Sequence, residues 1–121
     1  MRLRLDYGSE GLDVDLPDDR VTVIEPSFLS PVDNPHAALV AALRQPIGRP
    51  ALREIVRPGQ KIAISVCDIT RAQPREAMLR AIFEEMPDHK PEDVTILIAT
   101  GTHRTNTRAE LERMLGHDIV A

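Results

Sequence analysis

Two short apolar runs, separated by a helical pattern, constrain the fold of this chain more than any other feature. Ile62–Cys67 reads IAISVC and Val94–Ala99 reads VTILIA, and both runs have the length and β-branched content of buried strands. Pro74 suits the first turn of a helix over about residues 75–86, where apolar residues recur every three or four positions. The crossover is long enough to join parallel strands, so the sequence predicts a right-handed βαβ unit.

A second helix is predicted after the second apolar run. Thr107 and Glu110 have the spacing of a capping box, and Leu111, Met114 and Leu115 follow at helical intervals. Residues 119–120 are again apolar and indicate the approach to another strand. Residues 34–121 are therefore predicted to form a Rossmann-like βαβα unit with parallel strands, which places the chain in the α/β class.

The first 24 residues alternate with period two and predict a β-hairpin. Leu3, Leu5 and Tyr7 share one face, residues 8–11 offer a turn, and the alternation then resumes. Residues 21–24 predict a third short strand.

Two helical segments are predicted between the hairpin and the first apolar run. Asn34 is a good cap for a helix that begins with Pro35 and continues to about residue 44. A shorter helical segment is predicted over residues 51–56, before a Pro-Gly turn.

The composition fits one small domain over residues 1–121, with 42% hydrophobic and 28% charged residues. Lys and Arg total 15 against 19 Asp and Glu, so the chain lacks the basic surplus of nucleic-acid-binding proteins. A lone cysteine, Cys67, excludes an internal disulfide framework. Without an apolar signal core or membrane span, we expect a cytoplasmic protein with neither a nucleic-acid nor a membrane partner.

The candidate functional residues follow the two predicted strands. Residues 68–71 read DITR after the first strand, and residues 100–105 read TGTHRT after the second. Parallel strands bring their carboxyl ends to the same sheet edge, where open α/β sheets bind ligands. A carboxylate, an imidazole and guanidinium groups are therefore expected to converge on one cleft.

Each of these side chains has a plausible chemical task. A neutral imidazole at His103 takes a proton from a substrate hydroxyl near pH 7, and a guanidinium at Arg71 holds a carboxylate through two parallel hydrogen bonds. Asp68 orients His103 or binds a polar ligand group. The alternatives are that Asp68 is a turn former or helix cap and that Arg71 is a solvated surface residue.

The remaining reactive side chains give weaker signals. His36, His89 and His117 occupy positions where solvated histidines are common, and no histidine pair has the spacing of a helical metal site, so we predict no metal ligands. Cys67 is interpreted as a small hydrophobic residue. An aspartyl-phosphate hydrolase would need a second carboxylate where Thr70 stands, so that alternative is disfavoured.

The two loop motifs resemble those of the nickel-pincer-dependent lactate racemase family. The similarity rests on the D-I-T-R core of residues 68–71, followed by Pro74, and on the A-T-G-T-H-R core of residues 99–104. Supporting stretches occur over nearly the whole chain, at residues 6–8, 16–18, 46–48 and 58–59.

This resemblance implies racemisation or epimerisation of a small 2-hydroxy acid. In the family, nickel held by a pincer nucleotide accepts a hydride from the substrate carbon, while a histidine removes the hydroxyl proton. By matching motifs, His103 is one of two acid/base histidines, and Asp68 and Arg71 are active-site polar residues. The resemblance also places Thr70, Gly101 and Thr102 at the cofactor.

Other residues of the family's active site have no counterpart among these 121 residues. The lysine that bears the pincer, the histidine that binds nickel and the second acid/base histidine lie further along in the family. We therefore expect an N-terminal part of a racemase that is inactive alone, holds no cofactor covalently, needs a C-terminal region or separate chain, and self-associates. The alternative is a non-catalytic module that binds a small anion or a nucleotide.

Overall fold

The computed structural model describes all 121 residues of the chain, which form two compact units. The first unit comprises Met1–Pro31 and the second comprises Val32–Ala121. The chain has the predicted α/β class, with an antiparallel hairpin followed by a parallel sheet with helices. The single domain over residues 1–121 stays a prediction. None of the helices combines the length and the apolar character needed to cross a membrane.

The first unit contains the hairpin of β1 (Arg2–Leu5) and β2 (Leu12–Asp15). Gly11 adopts a φ of +74°, a conformation that favours glycine, and its N–H donates to the Tyr7 carbonyl at 2.9 Å to close the turn. The predicted hairpin is thus confirmed over a shorter span.

The third strand predicted at residues 21–24 is wrong. These residues form no strand, and the side chain of Ile24 is 90% exposed. The alternation of apolar residues satisfies strand propensity, but a strand also needs a partner for its backbone hydrogen bonds. Neither strand of the hairpin pairs with this segment.

The second unit is built on a parallel sheet of β3 (Ile62–Cys67) and β4 (Val94–Ala99). The two strands pair along their whole length, so Cys67 at the end of β3 lies beside Ala99 at the end of β4. α3 (Arg75–Glu84) lies between the two strands in sequence. The predicted parallel βαβ connectivity is confirmed, the right-handed crossover stays a prediction, and both strands deliver the chain to the same edge of the sheet.

The core of this unit lies between one face of the sheet and two helices. α4 (Arg108–Leu115) contributes Met114 and Leu115, and α3 contributes Leu79. Half-buried strand residues pack against them: Ile64, Val66, Ile96 and Ile98. The strand residues between these are exposed, so the strands are half-buried rather than buried as predicted. The difference arises because the helices cover only one face of the sheet.

Helix boundaries follow the predicted caps where local chemistry sets them. α1 (Pro35–Arg44) begins after Asn34, whose Oδ1 accepts the N–H of Ala37 at 3.0 Å. α2 (Leu52–Ile55) lies within the predicted segment. At the start of α4 both hydrogen bonds of the predicted capping box are present. The side chain of Thr107 accepts the backbone N–H of Glu110, and the side chain of Glu110 accepts the backbone N–H of Thr107.

α3 ends at Glu84 rather than at about residue 86, and a buried ion cluster follows it. Glu85 is fully buried and accepts hydrogen bonds from Arg53 at 2.8 Å and from Arg44 at 3.0 Å. The hydrogen bond from Arg44 contributes most to lowering the pKa of Glu85, against the opposing effect of burial. This cluster joins α1 and α2 to the end of α3.

The chain ends in a short helix, α5 (His117–Val120), where the sequence predicts the approach to a strand. Gly116 adopts a φ of +101° between α4 and α5. Ile119 and Val120 then pack against the core. The prediction is wrong because these apolar residues are partly buried by helix packing instead of by strand pairing.

Candidate active site

The candidate site lies where the loops after β3 and β4 meet. A cleft of about 200 Å³ opens between them. Its lining comprises Cys67, Asp68, Arg71, Ala99, Thr100, Gly101, Thr102 and His103. The parallel register explains the meeting, because Cys67 and Ala99 are partners and each loop begins at the next residue.

Asp68 is held in place by its own turn. It is 2% exposed, and its Oδ1 accepts the hydroxyl of Thr70 at 2.7 Å and the backbone N–H of Thr70 at 3.2 Å. The pKa of Asp68 is lowered, mainly by the hydroxyl of Thr70 and then by His103, although burial acts in the opposite direction. Asp68 is therefore an anion at neutral pH.

The second carboxylate oxygen of Asp68 contacts His103 across the cleft edge. The Oδ2 atom lies 2.6 Å from Nδ1 of His103, and the imidazole is 43% exposed. Because an ionised carboxylate only accepts hydrogen bonds, Nδ1 is assigned as the nitrogen that carries hydrogen. Nε2 is then the basic nitrogen of the neutral ring, as a proton acceptor requires.

Arg71 lines the same cleft and has no ion-pair partner. Its side chain is exposed and makes no hydrogen bond within the chain. Its backbone N–H donates to the Asp68 carbonyl at 3.3 Å, which closes the turn over residues 68–71. The guanidinium is thus free to bind an anion beside the imidazole.

A tight turn shapes the opposite wall of the cleft. The N–H of His103 donates to the Thr100 carbonyl at 3.0 Å, and Gly101 within this turn has a φ of +59°. A side chain at Gly101 would meet open space, so glycine is needed there for its backbone conformation. Thr102 lines the cleft next to it.

Arg104 anchors this second loop to the following helix. Its guanidinium makes two hydrogen bonds to the carboxylate of Glu110, at 2.8 and 2.9 Å. This contact contributes most to lowering the pKa of Glu110. The loop that carries His103 is therefore joined to the N-terminus of α4.

Comparison with known proteins assigns the family. A profile described as the lactate racemase N-terminal domain matches residues 7–121, which is almost the whole chain. The chain belongs to the lactate racemase N-terminal domain family. The predicted family resemblance is thereby confirmed.

Two curated lactate racemases are similar to this chain. The lactate racemase of Thermoanaerobacterium thermosaccharolyticum is 34% identical over 98% of this chain, and that of Lactiplantibacillus plantarum is 37% identical over 65%. The structure of the former's apoprotein superposes with a TM-score of 0.71 over 99% of this chain. The matched part is 29% and 19% of the respective relatives, so this chain spans less than a third of their length.

Within this lactate racemase N-terminal domain, the structure brings Asp68, Arg71 and His103 together as the sequence predicts. Gly101 and Thr102 lie at the same cleft, whereas the hydroxyl of Thr70 is bonded to Asp68 and Thr70 does not line it. The catalytic and cofactor-binding roles of these residues stay predictions. No group of three or more His, Cys, Asp or Glu side chains is arranged to hold a metal ion.

The other histidines lie outside the cleft. His36 contacts Glu84 at 2.8 Å, and His89 stacks on Phe83 with the ring centroids 5.2 Å apart. His117 is exposed near the chain end. The thiol of Cys67 lines the cleft and donates to the side-chain carbonyl of Gln73.

One buried residue beside the site has no place in the sequence-based interpretation. Arg75 is 5% exposed and donates hydrogen bonds to the loop after β3. The available signal is its position, since a cation in the first turn of a helix opposes the helix dipole and so calls for a specific reason.

Proposed function

We propose that this chain forms the acid/base part of a racemase or epimerase that acts on a small 2-hydroxy acid. The observation that carries the proposal is the contact of His103 with Asp68 inside a cleft that also holds the unpaired Arg71. Membership of the lactate racemase family supports the substrate class. The activity of the whole protein is part of the proposal, because the chain covers only 29% of the length of the first lactate racemase named above.

The proton step in this proposal belongs to His103. Nε2 accepts the hydroxyl proton of the substrate as the carbonyl forms, and it returns that proton when the hydroxyl is restored. Asp68 holds Nδ1–H throughout, which fixes the tautomer and stabilises the imidazolium. Because Asp68 is buried and already ionised, it provides this charge without rearrangement.

Substrate orientation in this proposal belongs to Arg71. A guanidinium presents two parallel N–H groups to a carboxylate, and the guanidinium of Arg71 makes no hydrogen bond to the rest of the chain. Binding the acid group there would place the neighbouring hydroxyl toward His103. The cleft volume of about 200 Å³ suits a small acid and is below the ~300 Å³ of typical ligand pockets.

When bound, a nickel-pincer nucleotide would supply the acceptor for the hydride that leaves the substrate carbon. Residues of this chain at the cleft would contact that nucleotide. The open space at Gly101 permits close approach of a flat group to the backbone, and the hydroxyl of Thr102 adds a hydrogen-bonding group. These features fit contact with one side of such a group. Thr70 would act through Asp68, since its hydroxyl is already engaged there.

The test uses the full-length gene product, supplied with the pincer nucleotide and lactate. We expect His103→Gln to lower the rate of racemisation by about 10²- to 10⁴-fold, since Gln cannot accept and return the proton. His117→Gln removes an exposed histidine outside the cleft and should leave the rate unchanged. A His103→Gln protein that racemises lactate at the wild-type rate would refute the proposed role.

A second candidate function is a non-catalytic module that binds a small anion. The unpaired guanidinium of Arg71 in the cleft favours it. This alternative predicts that lactate binds equally well to wild type and to His103→Gln, with no turnover in either. Turnover by the wild-type protein excludes it.

A further inference from the structure

Arg75 is a buried cation without a carboxylate partner. It is 5% exposed and takes part in no salt bridge, although it lies in the first turn of α3, where a positive charge is unfavourable. A buried charge that lacks a counter-ion must be compensated by hydrogen bonds. Here the compensation comes from the backbone of the loop that carries Asp68 and Arg71.

The guanidinium donates to four carbonyl oxygens, one at the last residue of β3 and three in the segment that follows it. Nε donates to the Cys67 carbonyl at 2.7 Å, and one terminal nitrogen donates to the Gln73 carbonyl at 3.2 Å. The other terminal nitrogen donates to the Arg71 carbonyl at 2.6 Å and also to the carbonyl of Asp68. One planar group therefore fixes both ends of the turn over residues 68–71.

The backbone hydrogen bond that closes this turn is weak. The N–H of Arg71 reaches the Asp68 carbonyl at 3.3 Å, which is long for a hydrogen bond of this kind. Hydrogen bonds from a charged donor are roughly twice as strong as neutral ones. Thr70 holds the carboxylate of Asp68 within the turn, whereas the guanidinium of Arg75 is the strongest contact to the backbone carbonyls at the two ends of the turn.

The geometry points to Arg75 as a positioning residue: it fixes the turn that places the carboxylate of Asp68 on Nδ1 of His103 and the side chain of Arg71 at the cleft. This inference rests on the proposed function. Arg75 itself does not line the cleft. A displacement of about 1 Å in a catalytic group costs roughly 10²-fold in rate, so a residue that sets this turn controls the reaction from outside the cleft.

The decisive variant is Arg75→Lys, which keeps the charge and loses the planar fork. The readout is the ¹⁵N spectrum of the His103 ring in the 121-residue chain, recorded where the ring is neutral, since it reports which nitrogen carries hydrogen. Asp68→Ala defines the spectrum without the carboxylate. We expect Arg75→Lys to shift the tautomer population at least halfway from wild type toward Asp68→Ala.

The matched control is Arg80→Lys, on the same helix. Arg80 also uses its fork, but on the exposed carboxylates of Glu76 and Asp118. The control should leave the His103 spectrum unchanged. Both Arg80→Lys and Arg75→Lys should retain the amide signals of the β3 and β4 pairing. In the full-length gene product, Arg75→Lys should lower kcat for lactate by about 10²-fold.

Two results would overturn the inference. One is a wild-type His103 spectrum in Arg75→Lys. The other is loss of the β3 and β4 amide signals in both Arg75→Lys and Arg75→Gln, which would assign Arg75 to the stability of the whole unit. If wild type fails to racemise lactate while Arg75→Lys still shifts the His103 tautomer, the proposed function fails and the positioning role stands.

Discussion

The two carboxylate oxygens of Asp68 have separate tasks. Oδ1 is bonded within its own turn to Thr70, whereas Oδ2 reaches His103 in the neighbouring loop. The first contact fixes the carboxylate so that the second can orient the imidazole. Asp68 is therefore a turn former, as one of the two sequence-based interpretations predicts, and its second oxygen contacts the imidazole as the proposed orienting role requires.

The lowered pKa of Asp68 predicts a contribution to acid sensitivity. A carboxylate with a depressed pKa in the folded state stabilises the fold above its unfolded pKa of ~3.9, and this stability is lost as pH falls through the folded pKa. We expect the Tm of Asp68→Asn to fall less steeply than that of wild type below about pH 4.

A thermal melt series from neutral to acid pH measures this effect. Asp88→Asn is the control, because Asp88 is exposed and makes no side-chain hydrogen bond. If Tm falls equally steeply with decreasing pH in wild type and in Asp68→Asn, the assignment of Asp68 as a hydrogen-bonded, ionised carboxylate is wrong.

At the scale of elements, α4 determines where the loop with His103 ends. Thr107 caps the helix, and Glu110 both completes the cap and binds Arg104. The helix start and the loop anchor therefore share one carboxylate.

Removal of this cap tests the contribution of α4 to stability. We expect Thr107→Ala to lower the free energy of unfolding by about 1 kcal/mol, the usual cost of losing a threonine N-cap. Urea denaturation measures the difference, and Thr105→Ala, in the same loop but without a capping contact, is the control. A change of less than about 0.3 kcal/mol in Thr107→Ala would contradict a structural role for the capping box.

Elements defined by local chemistry could be predicted from the sequence, and those defined by partners could not. β3, β4 and α1 have the predicted bounds because their periodicity, proline positions and caps are local signals. Residues 21–24 have the same apolar alternation, yet they lack a partner strand. α5 is the opposite case. Its apolar residues pack against the core, and no local pattern in the sequence indicates this packing.

The same distinction holds within the candidate site. The meeting of Asp68 with His103 follows from one topological rule, that parallel strands end at one sheet edge. The burial of Arg75 and Glu85 depends on the carbonyl and guanidinium groups that tertiary packing brings to them. Charged residues in a helix are usually solvated, so the sequence offers little reason to expect either one inside.

At the scale of the whole molecule, the first unit leaves large apolar side chains in water. Ile24, Phe28 and Leu29 lie in a segment without secondary structure, and the last two are 87% and 94% exposed. Clustered exposed apolar residues favour association between molecules. This observation supports the prediction that the chain self-associates.

Replacement of the two adjacent exposed apolar side chains of this segment tests that prediction. We expect the double substitution Phe28→Ser and Leu29→Ser to shift the sedimentation-derived mass toward the 13.5 kDa of one chain, while Ser30→Ala leaves it unchanged. Wild type that sediments as a single chain at high concentration would contradict the prediction.

The most direct test of the proposed contact between Asp68 and His103 is the ring ¹⁵N spectrum of His103 in the wild-type chain, taken where the imidazole is neutral. If Asp68 orients this ring, the spectrum shows hydrogen on Nδ1, facing Asp68, and a lone pair on Nε2, available for a substrate proton. Hydrogen found mainly on Nε2 would show that Asp68 does not orient this ring, and the proposed proton acceptor would then be lost.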